Sequence, residues 1–281
     1  GALRVGMGVT VPVERLAAVR DLPFDGRSWR QWGVKLADDT TARVESELRQ
    51  ASALGEAMPA IGKRIERVSG LSKTSAERLA RTAVTSTANR AMAASMETLG
   101  GDAVVGWRFM ATLDGRTSAI CRGLDQRVFR KGDPAAPWPP RHPNCRSIML
   151  PLTDLEDESD GFRPFVRSDK PLREMGPEYR RLAKERVGED AWKRLSEAER
   201  REEIRVSRAA WQRENVGRVK ASTSWPEWLA QQPEPFQREQ LGPARYGAWK
   251  RGLPIGEMAT YDRELTIAEL RRLYPDKMRG L

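Results

Sequence analysis

The sequence predicts an α+β fold: long N-terminal helices, a small antiparallel sheet carrying a Cys/His loop cluster, and peripheral charged helices. Three observations predict it. From Thr40 to Leu99 apolar residues recur at spacings of mostly three and four, the period of a helix. Strand-like alternation replaces that period at Val105, Trp107, Phe109 and Ala111, and a second strand candidate follows in RSIMLPL, Arg146 to Leu152. From residue 161 onward the chain is strongly charged with thin apolar stripes, as suits solvated helices. Between the two strand candidates, the stretch Trp107 to Pro151 contains both cysteines and the single histidine of the protein.

Composition narrows the classes. With 281 residues, 39% hydrophobic, 31% charged and a mean hydropathy of -0.63, the chain is expected to be soluble, with extended helices around a real core. It has no run of about 18 apolar residues and no signal-peptide pattern, so no membrane partner is expected. Two cysteines do not make a disulfide scaffold; they suit a metal site or a pair of quiet thiols. The net charge of +10 divides unevenly: 15 Lys and Arg against 11 Asp and Glu in residues 1–100, 8 against 9 in 101–160, and 26 against 19 in 161–281. A basic excess outside the Cys/His stretch allows contact with a polyanion, although interspersed Arg and Glu also describe an ordinary solvated helix face.

Taken in order, the first forty residues, with Pro12, Pro23, Gly26 and Gly33, read as a connecting segment anchored by Phe24, Trp29 and Trp32. The chain opens on Gly1-Ala2-Leu3 rather than a methionine, and residues upstream are expected. Val44, Leu48, Leu54, Ile61, Ile65 and Val68 mark a helix that Gly70 breaks. A second helix starts at a capping box of Thr74 and Glu77 and runs to Gly100-Gly101, with a face of Ala80, Ala83, Ala88, Ala91 and Ala94 that permits close packing. Asp102 to Thr112 is a strand, Arg116 to Gly123 a short helix and Val128-Phe129 a third extended piece. The acidic run Asp154 to Asp160 is a surface link. Residues 161–220 read as a charged helical block, with a capping box of Ser196 and Glu199 and a stripe of Ile204, Trp211 and Val216. Ser224 with Glu227 and Thr266 with Glu269 cap later helices, and Gly242-Pro243 bends the one between them.

Cys121, His142 and Cys145 are a thiolate and imidazole set of the kind zinc prefers, and Asp114 would supply a fourth ligand to close the site. Two other readings stand beside it. Pro139-Pro140, Pro143 and Asn144 build a rigid turn in which His142 donates to a backbone carbonyl and the cysteines are small buried hydrophobes, or the cysteines form a disulfide. Asp114 itself suits an Asx-turn clamped by Arg116 or Arg146 better than a catalytic carboxylate. With one histidine, no P-loop and no G-x-G-x-x-G, enzymatic options are narrow. Ser222-Thr223-Ser224 is better explained as a cap than as an ADP-ribosyltransferase motif, since the Glu-x-Glu signature is missing downstream.

Four pieces in this order carry a family resemblance: Gly70-Leu71-Ser72 with Arg81-Thr82, TLDGRTSAIC, PPRHPNCRS, and WPEWLAQQPEPFQREQLGPARYGAWKRG. Over roughly Leu71 to Leu273 the chain resembles the phage Mu F-like minor head (head morphogenesis) proteins. The family's Asp-x-Arg-Thr matches Asp114, Arg116 and Thr117. Its first Cys matches Cys121, and its Pro-Pro-x-His-Pro-x-Cys-Arg matches Pro139, Pro140, His142, Pro143, Cys145 and Arg146.

That resemblance implies a structural minor capsid protein of a tailed phage rather than an enzyme. Its implied place is the virion, in the capsid interior or the head–tail neck, after assembly in the host cytoplasm. Its implied partners are the portal protein, packaged DNA bound without sequence preference, and other head or neck proteins, with Arg200, Arg201 and Arg205 as candidate nucleic-acid contacts. The segments then read as a connecting and helical part (1–70), a Mu F-like core (71–155), a charged helical insertion (156–220) and a C-terminal helical part of the same domain (221–281). Some relatives carry a toxin or enzyme domain behind this region, and none is expected after Ala268-Glu269-Leu270. The competing expectation is a metal-dependent hydrolase or nuclease using Asp114, Cys121, His142 and Cys145.

Overall fold

A computed structural model describes residues 2–5, 9–12, 38–99, 103–153 and 161–281. The expectations for Pro23, Gly26, Gly33, Phe24, Trp29 and Trp32, for the Gly100-Gly101 stop and for the acidic link Asp154 to Asp160 fall outside those residues. At the N-terminus β1 (Ala2–Val5) pairs antiparallel with β2 (Val9–Pro12).

The helical period of residues 40–99 becomes three helices rather than two: α1 (Asp38–Ala53), α2 (Met58–Ser69) and α3 (Lys73–Leu99). The extra break falls at Gly55, which takes a φ of 64°, a left-handed conformation that costs other residues about 1 kcal/mol or more. Val44 and Ala51 from α1, Ile61 and Ile65 from α2, and Ala76 and Ala80 from α3 close a core of their own. Arg64 ties the turn down through Glu47 at 2.7 Å and Glu56 at 2.5 Å. The cap of α3 is Ser72, whose hydroxyl accepts from Ser75 N at 3.3 Å, so Thr74 lies within the first turn instead of capping it.

The antiparallel sheet has β3 (Val104–Met110) between β5 (Val128–Arg130) and β6 (Ile148–Thr153). Alternation puts Trp107 and Phe109 on the inner face with Phe129 and Met149, against Ala93 of α3 and Ile120, Cys121 and Leu124 of α4 (Ala119–Leu124). The face of α3 that approaches this sheet is not the expected alanine stripe. Ala88 is exposed, and buried Thr82, Ser86 and Asn89 intervene between the alanines. Asn89 does the joining, donating to Ser147 O at 3.3 Å and accepting from Met149 N at 2.8 Å.

A second three-stranded sheet is a departure from expectation. Here β7 (Phe162–Val166) lies between β4 (Leu113–Asp114), parallel to it, and β8 (Val216–Lys220), antiparallel. The block 161–220 therefore begins and ends in strands, and Val216 belongs to β8 rather than to a helical stripe. Only its middle is helical: α5 (Gly176–Val187), α6 (Glu189–Arg194) and α7 (Glu197–Asn215). This limb is held by few apolar contacts, among them Tyr179 edge-on to Trp211 at 5.6 Å between ring centroids. The capping boxes at Ser196, Ser224 and Thr266 all form, opening α7, α8 (Trp225–Ala230) and α10 (Ile267–Leu273). Between the last two runs α9 (Glu234–Lys250), bent at Gly242, where φ is 71° and ψ 163°. A last short helix, α11 (Pro275–Met278), packs beneath α9.

Trp225, Trp228 and Leu229 of α8 are fully buried against Leu113 and Ile255, which places the C-terminal helices directly behind the Asp114 turn. One ion pair joins the two sheets. Arg163 of β7 donates to Asp125 Oδ2 at 2.9 Å and also to Ala111 O, while Asp125 accepts from Ala111 N at 2.6 Å and Trp225 N at 2.7 Å.

Candidate functional site: a paired aspartate beside a Cys/His cluster

β3 and β4 deliver the run Thr112 to Thr117 as a tight turn. Arg116 N donates to Asp114 Oδ1 at 3.0 Å, the Asx-turn geometry, and Thr117 Oγ1 donates to Thr112 O at 2.5 Å. Both oxygens of Asp114 then receive arginines: Arg146 bonds Oδ2 and reaches Oδ1 at 2.8 Å, and Arg116 reaches Oδ2 at 3.0 Å. The carboxylate is 2% exposed. Burial works to raise its pKa, but the hydrogen bond and charge of Arg146, with Arg116 and Thr117, outweigh it and hold the group below the usual carboxylate range.

This corrects the expected four-ligand set. Asp114 is not among the groups that converge on the sulfurs, because its lone pairs are committed to two guanidinium groups and the Arg116 amide. The same commitment leaves it without a free lone pair for general-base work. The Asx-turn expectation describes it, with both arginines as the clamp.

The three remaining ligand types do meet. Ser118 caps α4 by accepting from Cys121 N at 3.3 Å, which fixes Cys121 in the first turn of that helix. Across from it the proline-rich loop is anchored by Trp138, edge-on to Trp107 at 4.9 Å, and by buried Pro139 and Pro140, whose mutual peptide bond is cis. Pro143 is exposed. Asn144 takes the left-handed conformation that asparagine tolerates, with φ 64°, and its N donates to Thr82 Oγ1 of α3 at 3.1 Å. Thr85 Oγ1 of the same helix donates to Cys145 O at 3.0 Å.

The result brings Cys121 Sγ to 3.2 Å from His142 Nε2 and 3.8 Å from Cys145 Sγ, with all three ligand atoms within 4.8 Å of one another. Both cysteines are buried and unbonded to each other, so the disulfide alternative does not describe this structure. His142 Nδ1 lies 2.9 Å from Pro143 O. A carbonyl there selects the tautomer with the proton on Nδ1 and leaves the Nε2 lone pair facing the sulfurs.

The two thiols titrate as a pair. Cys145 and burial push Cys121 up, whereas the hydrogen bond from Cys121, with His142, holds Cys145 well below an ordinary thiol. Burial opposes charge on His142, and the neighbouring Cys145 sulfur more than offsets it, raising the imidazole.

Arg200, Arg201 and Arg205 lie together on α7, away from this cluster. Arg201 pairs with Glu197, Arg205 with Glu202 at 2.5 Å, and Arg200 donates to the carbonyls of Trp192 and Lys193. The helix contains five arginines and five glutamates and so has no net charge. Asp125 and Arg163 are the pair that the sequence does not reveal. They are 38 residues apart, and neither belongs to a motif.

Residues 42–150 match the family model described as Phage Mu protein F like protein. Over those residues the chain is similar to that family. The matched stretch starts in α1 and ends in β6, so it takes in the Asp114 turn, Cys121, His142, Cys145 and Arg146 and stops short of the limb and of the C-terminal helices. No curated protein and no solved structure matches the chain. The similarity to that family suggests a phage head morphogenesis role. Among the described residues no helix is long and apolar enough to cross a membrane.

Proposed function

We propose that the protein is a minor head protein of a tailed phage, held at the portal inside the capsid or in the head–tail neck, where it touches packaged DNA without reading its sequence. The observation that carries the DNA part is a group of guanidinium side chains around Arg81. Arg81 is half-buried on α3, has no carboxylate within salt-bridge distance among the described residues, and leaves its Nε buried without a hydrogen-bond partner. Burial lowers its pKa, and the charges of Arg173, Arg116 and Arg146 lower it further. The buried Nε of Arg116 is unpartnered as well. Unsatisfied guanidinium groups crowded by their own kind favour an anion with several acceptor oxygens, and a DNA phosphate is one. Arg200, Arg201 and Arg205 of α7 suit this role less, because each is already engaged.

A shallow strip along α7, lined by Leu172, Val206, Ala209 and Val216 with Arg205 and Arg213 at its rim, supports contact with a partner such as the portal. Two measurements test the reading. DNA retention by the purified protein should weaken as salt rises, and Arg81→Gln should flatten the slope by about one phosphate contact while Arg201→Gln leaves it nearly unchanged. Co-expressed portal protein should co-purify with the chain and be lost with Val206→Asp, a variant whose far-UV dichroism stays that of the wild type. Retention that follows base sequence rather than salt would overturn the DNA part, and portal that never co-purifies would overturn the location.

A further inference from the structure

We propose that Cys121, His142 and Cys145 bind one zinc ion that fastens the proline-rich loop to α4, with a water in the fourth coordination place. Bonds of about 2.3 Å from zinc to each of two thiolates, held at the tetrahedral angle, put the sulfurs about 3.8 Å apart. The two sulfurs already stand at 3.8 Å. Nε2 of His142 is 3.2 Å from one of them and within 4.8 Å of the other, so a ring shift of about 1 Å gives it a comparable edge of the tetrahedron. The carbonyl of Pro143 beside Nδ1 is the partner that metal-bound imidazoles commonly use to fix ring and tautomer.

The rest of the shell is equally settled before any ion arrives. Cys121 sits in the capped first turn of α4, and Cys145 is tied to α3 through Thr85, so neither sulfur must travel. Beside the sulfurs a cavity of about 10 Å³ opens between Thr112, Thr117, Arg146 and Ser147. That is room for about one water molecule with hydroxyl partners, and too little for an organic substrate. The arrangement fastens the proline-rich loop to a helix.

The test is metal content together with cobalt substitution in the intact chain. Protein purified from zinc-supplemented medium should hold about one zinc per chain. Its cobalt form should show the visible bands of a tetrahedral ion and a sulfur-to-cobalt charge-transfer band, both lost in Cys145→Ser. Chelation should lower the wild-type Tm by more than about 3 °C and expose two thiols to titration, with no change in the Tm of Cys145→Ser. If Cys145→Ser fails to fold, the cobalt spectrum of the wild type decides alone. A metal-free wild type that gives no cobalt bands, with both thiols titrating freely or joined as a disulfide, would overturn the proposal.

Discussion

Asp114 and Asp125 are both buried beside arginine, yet their environments push them in opposite directions. Asp114 receives two guanidinium groups and is held low; Asp125 receives Arg163 alone at full burial, and desolvation wins, raising it. The consequence for stability has opposite signs. The contribution of Asp114 is complete above the ordinary carboxylate pKa of about 4 and is lost as pH falls through its lowered folded value. Asp114→Asn should cost about 3–5 kcal/mol near neutral pH, because Arg116 and Arg146 are left without their counter-charge. Urea unfolding at several pH values measures it, and the variant should lose less than the wild type on acidification. Arg163→Met should do the reverse. It strands a buried carboxylate whose folded pKa is already raised, so the variant should gain stability as pH falls through that value. A variant whose stability is flat with pH would contradict the assignment.

At the scale of elements, α3 is the scaffold on which the core is built, and polar side chains do the positioning. Asn89 satisfies both the Met149 amide of β6 and the Ser147 carbonyl just before the strand, while Thr82 and Thr85 hold the loop that carries Cys145. A buried amide with two backbone partners makes a sharper register signal than an apolar residue of equal size, since any slip leaves a donor or acceptor unsatisfied. Asn89→Leu should cost about 2–4 kcal/mol by unfolding midpoint, with amide exchange rising first at Met149. The turn between α1 and α2 gives a smaller effect. Gly55→Ala should lower stability by about 1 kcal/mol through its left-handed backbone, without disturbing the Arg64 ion pairs.

On the scale of the whole molecule, the two sheets and the C-terminal helices meet around Asp114, and the charged limb of α5 to α7 buries Tyr179, Ala183 and Trp192. Charge follows a different division from the one counted along the chain. Residues 103–153 contain eight Lys and Arg against three Asp and Glu, so the described core is basic, while α7 is neutral. Asp102 and the acidic run Asp154 to Asp160 flank that core and bring residues 101–160 to eight basic against nine acidic side chains. Phosphate contact at the Arg81 group, rather than along the long helix, is the outcome this distribution favours.

The helices and strands of residues 38–153, apart from β4 and the break at Gly55, and the capped helices beyond them were legible because their signals are local, whereas β7 and β8 were not. Helical spacing, period-two alternation and capping boxes all act within four residues, and three of the four boxes form as read, with Ser72 replacing Thr74 as the cap of α3. The Asp114 turn and the Cys/His cluster were legible as residue types at fixed places. What only the tertiary structure decided is which distant groups satisfy one another. A two-residue strand at Leu113–Asp114 has no period to detect, and its partner lies some fifty residues on. The sequence already offers Arg116 or Arg146 to Asp114; that both reach it, and that Arg163 serves Asp125, depends on how the apolar faces close on one another. A carboxylate carries no mark of its partner until burial removes the water that would otherwise serve it equally well.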